Sequence, residues 1–209
     1  MPAQRLKTRG AGSPVHGVLV SLGLSCLLLL GGCSADPDDE VPLPEFTSTA
    51  GTFNDADVRF AQEMAPHHDQ AVQMSRIALE KRPRARPEIR SLAADIIAVD
   101  EPEIDLINGW LKAWGREHEV GAGSTTGGHH GGGGGVLSET EMRELDEAGG
   151  LTGEKLFLTE MIEHHQGAVA LSDAEIRDGT NPAAIDFATR TRVVQLEQIA
   201  LMQRLLEAG

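Results

Sequence analysis

The chain has 209 residues, a formal net charge of −14, no tyrosine, 3% aromatic residues and two cysteines. An acidic excess with so few rings for stacking excludes a polyanion-binding face, so nucleic acid is not an expected partner and cations are the natural counterpart. Cys26 and Cys33 are the only thiols. Beyond residue 33 a disulfide scaffold and thiolate metal ligation are therefore excluded, leaving His, Met and carboxylates as possible ligands.

In chain order, Arg5, Lys7 and Arg9 form a basic start, an apolar run extends from Val18 to Leu30, and Leu30-Gly31-Gly32-Cys33 closes it. An apolar run of about 13 residues falls short of the ~20 that cross a bilayer, so residues 1–32 read as a secretory signal that is removed. Leu-Gly-Gly-Cys resembles the bacterial lipobox, which makes Cys33 the expected lipidation site and the membrane an expected partner through that anchor. Losing residues 1–32 removes three basic and no acidic residues, which carries the formal charge from −14 to −17. Residues 33–53, acidic and proline-containing, read as a tether, and residues 54–209 as the folded part.

The first helix is expected to start at Asn54, an N-cap with Asp57 three residues on, and to reach about Glu80 before Pro83 and Pro87. A second runs from Pro87 to about Trp114. Residues 119–137 form a linker, glycine-rich from Gly121 to Gly135, whose composition builds no core and reads as flexible. His129 and His130 within it read as incidental, and His118 as a cation at a helix C-terminus. A short helix is expected at Ser138, with Glu141 completing a capping box. A third long helix spans Thr152 to Asp178 with Gly179 as its stop, and Asn181-Pro182 opens a fourth that runs to the end. No strand pattern is present, so the fold class is all-α.

An internal repeat organises these elements. At an offset of 97, Phe60 to Val72 falls on Phe157 to Val169 with seven of thirteen positions identical, where chance gives about one. Residues 100–104 fall on 195–199 at a slightly shorter offset, so repeat one (54–118) and repeat two (138–209) each hold a helical hairpin. In the first helix Phe60, Met64, His67, Ala71, Met74 and Ala78 trace one stripe, and in the third Phe157, Met161, His164, Ala168 and Leu171 do the same. His68 and His165 are expected at the stripe's edge, about 100° round the wheel. Met64 lies one turn before His68 and Met161 before His165, and Glu63 and Glu160 stand likewise to His67 and His164. Asp100 and Glu103 interrupt an apolar line on the second helix, and a buried carboxylate needs either the histidines or a metal opposite it. Matched His-His pairs with Met and carboxylate nearby point to a metal ion. Thioether with imidazole suits copper(I), while carboxylate with imidazole suits iron, manganese or zinc. A di-iron centre wants Glu-x-x-His on two helices; Glu63-x-x-Pro66 and Glu160-x-x-Glu163 do not supply it, which ranks copper first. Pro66 removes a helical hydrogen bond and is expected to kink its helix.

Glu63-Met64-Ala65-Pro66-His67-His68-Asp69-Gln70-Ala71-Val72 and Glu160-Met161-Ile162-Glu163-His164-His165-Gln166-Gly167-Ala168-Val169 resemble the bacterial family called domain of unknown function 305. The resemblance implies a ferritin-like four-helix bundle built from two repeated hairpins, and some relatives are periplasmic copper-binding proteins. By that resemblance Met64, His67, His68, Met161, His164 and His165 are the ligands. Ala65 and Glu163 depart from the usual Met-Ile-Pro-His-His, and Asp100 stands where glutamine is common. The expectation is an exported, lipid-anchored metal-binding protein with copper sequestration as its role and no catalysis implied; the rivals are an iron-using ferritin-like oxidoreductase and a structural lipoprotein without metal.

Overall fold

The computed structural model describes residues 51–117 and 134–209. The signal, the tether up to residue 50 with Cys33, and His118, His129 and His130 lie outside these residues. The described residues form five helices: α1 (Asp55–Lys81), α2 (Pro87–Ala113), α3 (Glu139–Glu147), α4 (Gly150–Asp178) and α5 (Pro182–Glu207). The described residues contain no strand, and no helix long and apolar enough to cross a membrane.

Local chemistry sets the helix boundaries. Asn54 accepts hydrogen bonds from the Ala56 and Asp57 backbone amides, while the Asp57 carboxylate accepts from the Asn54 amide, a reciprocal cap of α1. Ser138 and Glu141 make the same box on α3, and Asn181 caps α5 through Ala183 and Ala184. Pro87 and Pro182 occupy the first helical positions of α2 and α5, where a missing N–H has no cost. Pro66 is exposed and α1 runs unbroken through it from Asp55 to Lys81.

α1 packs along α2, α4 along α5, and α1 against α4, so that two antiparallel hairpins meet across their first helices. The interior is two apolar cores stacked along the bundle. One gathers Met74, Ile89, Ile96, Phe157, Leu158, Met161 and Met202; the other gathers Phe60, Met64, Ile107, Trp110, Phe187 and Ala188. Met74 and Met202, read from sequence as plain core residues, are fully buried there. Each long helix contributes to both cores, and between its two contributions lies a short polar stretch. These stretches align at one level and form a polar layer across the middle.

The hairpin repeat extends into the connections. Asp57 accepts from the backbone amides of Thr180 and Asn181 (3.1 and 2.8 Å) and from the Thr180 hydroxyl, tying the start of α1 to the α4–α5 turn. Glu154, which stands 97 residues after Asp57, accepts from the Arg86 amide at 3.1 Å and pairs with its guanidinium at 2.9 Å, tying the start of α4 to the α1–α2 turn. Each tie satisfies an N–H at the mouth of a helix with a carboxylate, where the helix dipole favours negative charge.

Candidate metal centre

The polar layer holds His67 and His68 from α1, Asp100 and Glu103 from α2, His164 and His165 from α4, and Gln195 and Gln198 from α5. All four histidines are at most 2% exposed. The expectation that His68 sits at the edge of the apolar stripe is corrected: at 100° per residue the buried arc of α1, which includes Asp57, Val58, Ala61, Ala65 and Val72, runs from His67 toward the His68 side, because α1 packs on both α2 and α4. His68 therefore lies well inside the arc. Glu63, on the other side of His67, falls outside it and is exposed, lining a shallow surface cleft with Arg59, Phe60, Glu175 and Asp178. The expectation that Glu63 joins His67 is corrected on the same ground. Glu160 is half-buried. Met64 and Met161 are fully buried, one in each of the two apolar cores that flank the layer.

His67 and His164 correspond in the repeat, and their rings meet with centroids 3.8 Å apart at 43°, so the approximate two-fold relating the hairpins passes between them. Outward from this pair, His68 Nε2 donates to Glu103 Oε2 at 3.0 Å, and the corresponding His165 Nε2 donates to Gln198 Oε1 at 2.7 Å. His67 Nε2 donates to the Gly134 carbonyl at 2.8 Å. Both ring nitrogens of His164, Nδ1 of His165, Oδ2 of Asp100 and Oε1 of Gln195 are buried with no hydrogen-bond partner. A buried polar atom left unpaired costs about 1–3 kcal/mol. Five such atoms in one layer are unsatisfied as a protein interior and satisfied as a donor set, so the residues present fit a metal ion.

Electrostatics separates the two halves. Burial pushes His67 down to about 4 and His165 to about 3, and holds His164 well below the ordinary imidazole value, with the neighbouring imidazoles adding to the effect. These three rings are neutral at physiological pH and keep a lone pair that protons do not contest. His68 moves the other way: burial opposes its charge, but the hydrogen bond to Glu103 and the Asp100 and Glu103 charges outweigh that and raise it. Asp100 is pushed up by burial to about 6, although the His68 charge partly offsets this.

The glycine-rich linker, read as flexible throughout, is corrected at its end. Residues 134–137 lie as a strap across α1 and α4: Gln70 both accepts from the Leu137 amide at 2.7 Å and donates to its carbonyl at 2.8 Å, while Gly134 receives the His67 bond. A Cβ on Gly167 would collide with the Gly134 carbonyl, and one on Gly135 with the Glu163 carbonyl, so glycine permits the close pass. Gly167→Ala gains up to about 1 kcal/mol in helix propensity and displaces three strap hydrogen bonds worth about 0.5–1.5 kcal/mol each. It is expected to lower thermal stability modestly while releasing the strap, seen as faster amide exchange at Leu137.

The family model for the domain of unknown function DUF305 matches residues 57–206. The chain belongs to the DUF305 family. A DUF305 fragment from Deinococcus radiodurans is 29% identical with a TM-score of 0.65, covering 75% of this chain and 98% of that one. A DUF305 protein from Streptomyces coelicolor is 30% identical with a TM-score of 0.65, covering 73% and 93%. CopM in its Cu(II)-bound form is 28% identical with a TM-score of 0.61, and in its Cu(I)-bound form 25% with 0.59; each covers 73% of this chain and 96% of that one. No curated protein matches by sequence. The ferritin-like bundle of two repeated hairpins anticipated from sequence is the fold of this DUF305 chain.

Proposed function

We propose that this DUF305 protein is an exported copper-binding protein, held at the outer side of the cell membrane by lipid on Cys33, which sequesters copper through Met64, His67, His68, Met161, His164 and His165. The observation that carries the reading is the layer of four buried histidines, with unpartnered ring nitrogens, between apolar cores that each contribute a fully buried methionine. Neutral imidazole and thioether are soft-to-borderline donors, the set that favours copper(I) among available ions. Similarity to CopM, which is known in Cu(I)- and Cu(II)-bound forms, supports the same reading. No reaction is assigned: the layer binds, and the apolar cores on both sides shield what is bound.

The test is elemental analysis of the intact protein with Cu(I) titration against a chromophoric chelator. The expected result is copper bound in stoichiometric amount and withheld from the chelator; a folded protein that yields all its copper would refute the reading. For the anchor, Cys33→Ser is expected to move the protein from the membrane pellet to the soluble envelope fraction, and retention in the pellet would count against lipidation.

A further inference from the structure

The two-fold that relates the hairpins is broken at two chemically decisive places. Asp100 and Glu103 of α2 correspond to Gln195 and Gln198 of α5, so His68 meets two carboxylates where His165 bonds the Gln198 amide and the other place is also an amide. In the first half, ligand atoms of His68, Asp100 and Glu103 lie within 4.8 Å of one another, and no other trio of His, Cys, Asp or Glu among the described residues meets that condition. Asp100 is 3% exposed and its Oδ2 has no partner. The Glu103 side chain is 27% exposed, so the trio opens toward solvent on one side only.

Charge and donor type select the ion. A buried carboxylate needs a compensating cation, and the trio holds two carboxylates against one imidazole that a single proton can charge. A divalent ion replacing the proton between His68 and Glu103 supplies the second positive charge that Asp100 lacks. One imidazole and two carboxylates are a borderline-to-hard set, suited to Zn(II) or Co(II) and poor for Cu(I). Ligand atoms around zinc stand about 2.0–2.2 Å from the ion, hence roughly 3.5 Å from each other, which rotation of the Asp100 and Glu103 side chains can reach from the present spacing.

We propose that the α1–α2 hairpin carries a binding site for a divalent cation of zinc or cobalt type on His68, Asp100 and Glu103, and that the α4–α5 hairpin has no counterpart because Gln195 and Gln198 stand in the corresponding places. The proposal rests on the reading of the polar layer as a metal centre and shares His68 with the set assigned to copper, but completes it with two carboxylates where copper takes thioether and further imidazoles. The layer is therefore two unlike half-sites sharing the central His67–His164 pair.

The probes are Co(II), followed by its visible d–d absorption, and Zn(II) as its competitor, added to the intact protein. Wild type is expected to bind one Co(II) in a low-symmetry site and release it to Zn(II). The pair D100Q with E103Q, which copies the second hairpin onto the first, is expected to weaken Co(II) by more than ~100-fold, since it removes two ligands where even outer-sphere changes cost 10–100-fold, and to weaken Cu(I) by at least ten-fold less than that, since for copper it alters only the partners of His68. The reverse pair, Q195D with Q198E, is expected to add a second equivalent of Co(II). Circular dichroism confirms that each variant is folded. Co(II) affinity indifferent to D100Q with E103Q in a folded protein, or no Co(II) uptake by wild type, overturns the proposal. Loss of Cu(I) binding alone, with Asp100-dependent Co(II) binding intact, instead overturns the copper reading and leaves this one standing.

Discussion

Replacing His67 and His164 together by alanine is expected to lower Cu(I) affinity by more than two orders of magnitude. These two rings are the centre of the layer: they touch at 3.8 Å between centroids, and both nitrogens of His164 lack partners. Changes to groups that merely orient metal ligands cost 10–100-fold, so loss of two ligands costs more. Each truncation also leaves a void, and a core cavity destabilises by a few kcal/mol, so the measurement pairs chelator competition with urea unfolding of the copper-free protein. His67→Gln with His164→Gln, which fills the volume and keeps a polar end, separates the effects. It is expected to restore most of the stability and none of the copper affinity. Unchanged affinity in either folded variant would remove the layer as the copper site.

Glu175→Gln is expected to stabilise the protein at alkaline pH and hardly change it at pH 5. Glu175 is 1% exposed and lies beside Asp57, and neither of its oxygens meets a donor. Burial, then the Asp57 hydrogen bond and charge, with Asp178 adding, push Glu175 up to about 8, whereas Asp57, rich in backbone donors, is held below its ordinary value despite burial. At neutral pH Glu175 is therefore protonated and donates to the Asp57 carboxylate. Between the unfolded value of 4.5 and the folded value of about 8 the native state holds a proton that the unfolded chain has released, so this group's contribution to stability declines as pH rises through that window and is flat above it. A glutamine amide at this position carries the donor at every pH, so the difference from wild type grows from near zero at pH 5 to roughly 2–4 kcal/mol at pH 8.5, each pH unit being worth about 1.4 kcal/mol. The depressed histidines destabilise both chains alike as pH falls below 6.5 and cancel in the difference. Urea midpoints at the two pH values measure it; a difference that does not change with pH would show that Glu175 is ionised in the fold.

Much of this architecture is written locally. Asn54 with Asp57, Ser138 with Glu141, and the prolines at 87 and 182 mark helix starts because capping involves residues only three apart. The histidine pairs and their methionines are legible because the repeat states them twice. What the pattern leaves open is where on α1 the buried arc is centred, since a single stripe follows one line of the wheel and leaves out Val58, Ala61, Ala65 and Val72 on the His68 side, together with the buried polar Asp57 and Ser75. That omission places Glu63 on the site side and His68 on its edge. The carboxylate ties to the turns depend on contacts more than sixty residues apart, yet Asp57 and Glu154 share the same 97-residue offset as the histidines, a few positions outside the identical run. The strap at 134–137 is hidden because composition describes a glycine tract as a whole, while docking depends on which glycine meets Gly167.

The mid-bundle polar layer also acts as a vernier for assembly. Sliding one hairpin past the other by one helical turn, about 5.4 Å, would bring the α4 imidazoles against the apolar side chains of α1 and part His164 from His67, whereas an all-apolar seam of similar residues would tolerate that displacement. The histidines thus fix how the two hairpins are aligned, and the polar layer is completed by the same step that closes the fold.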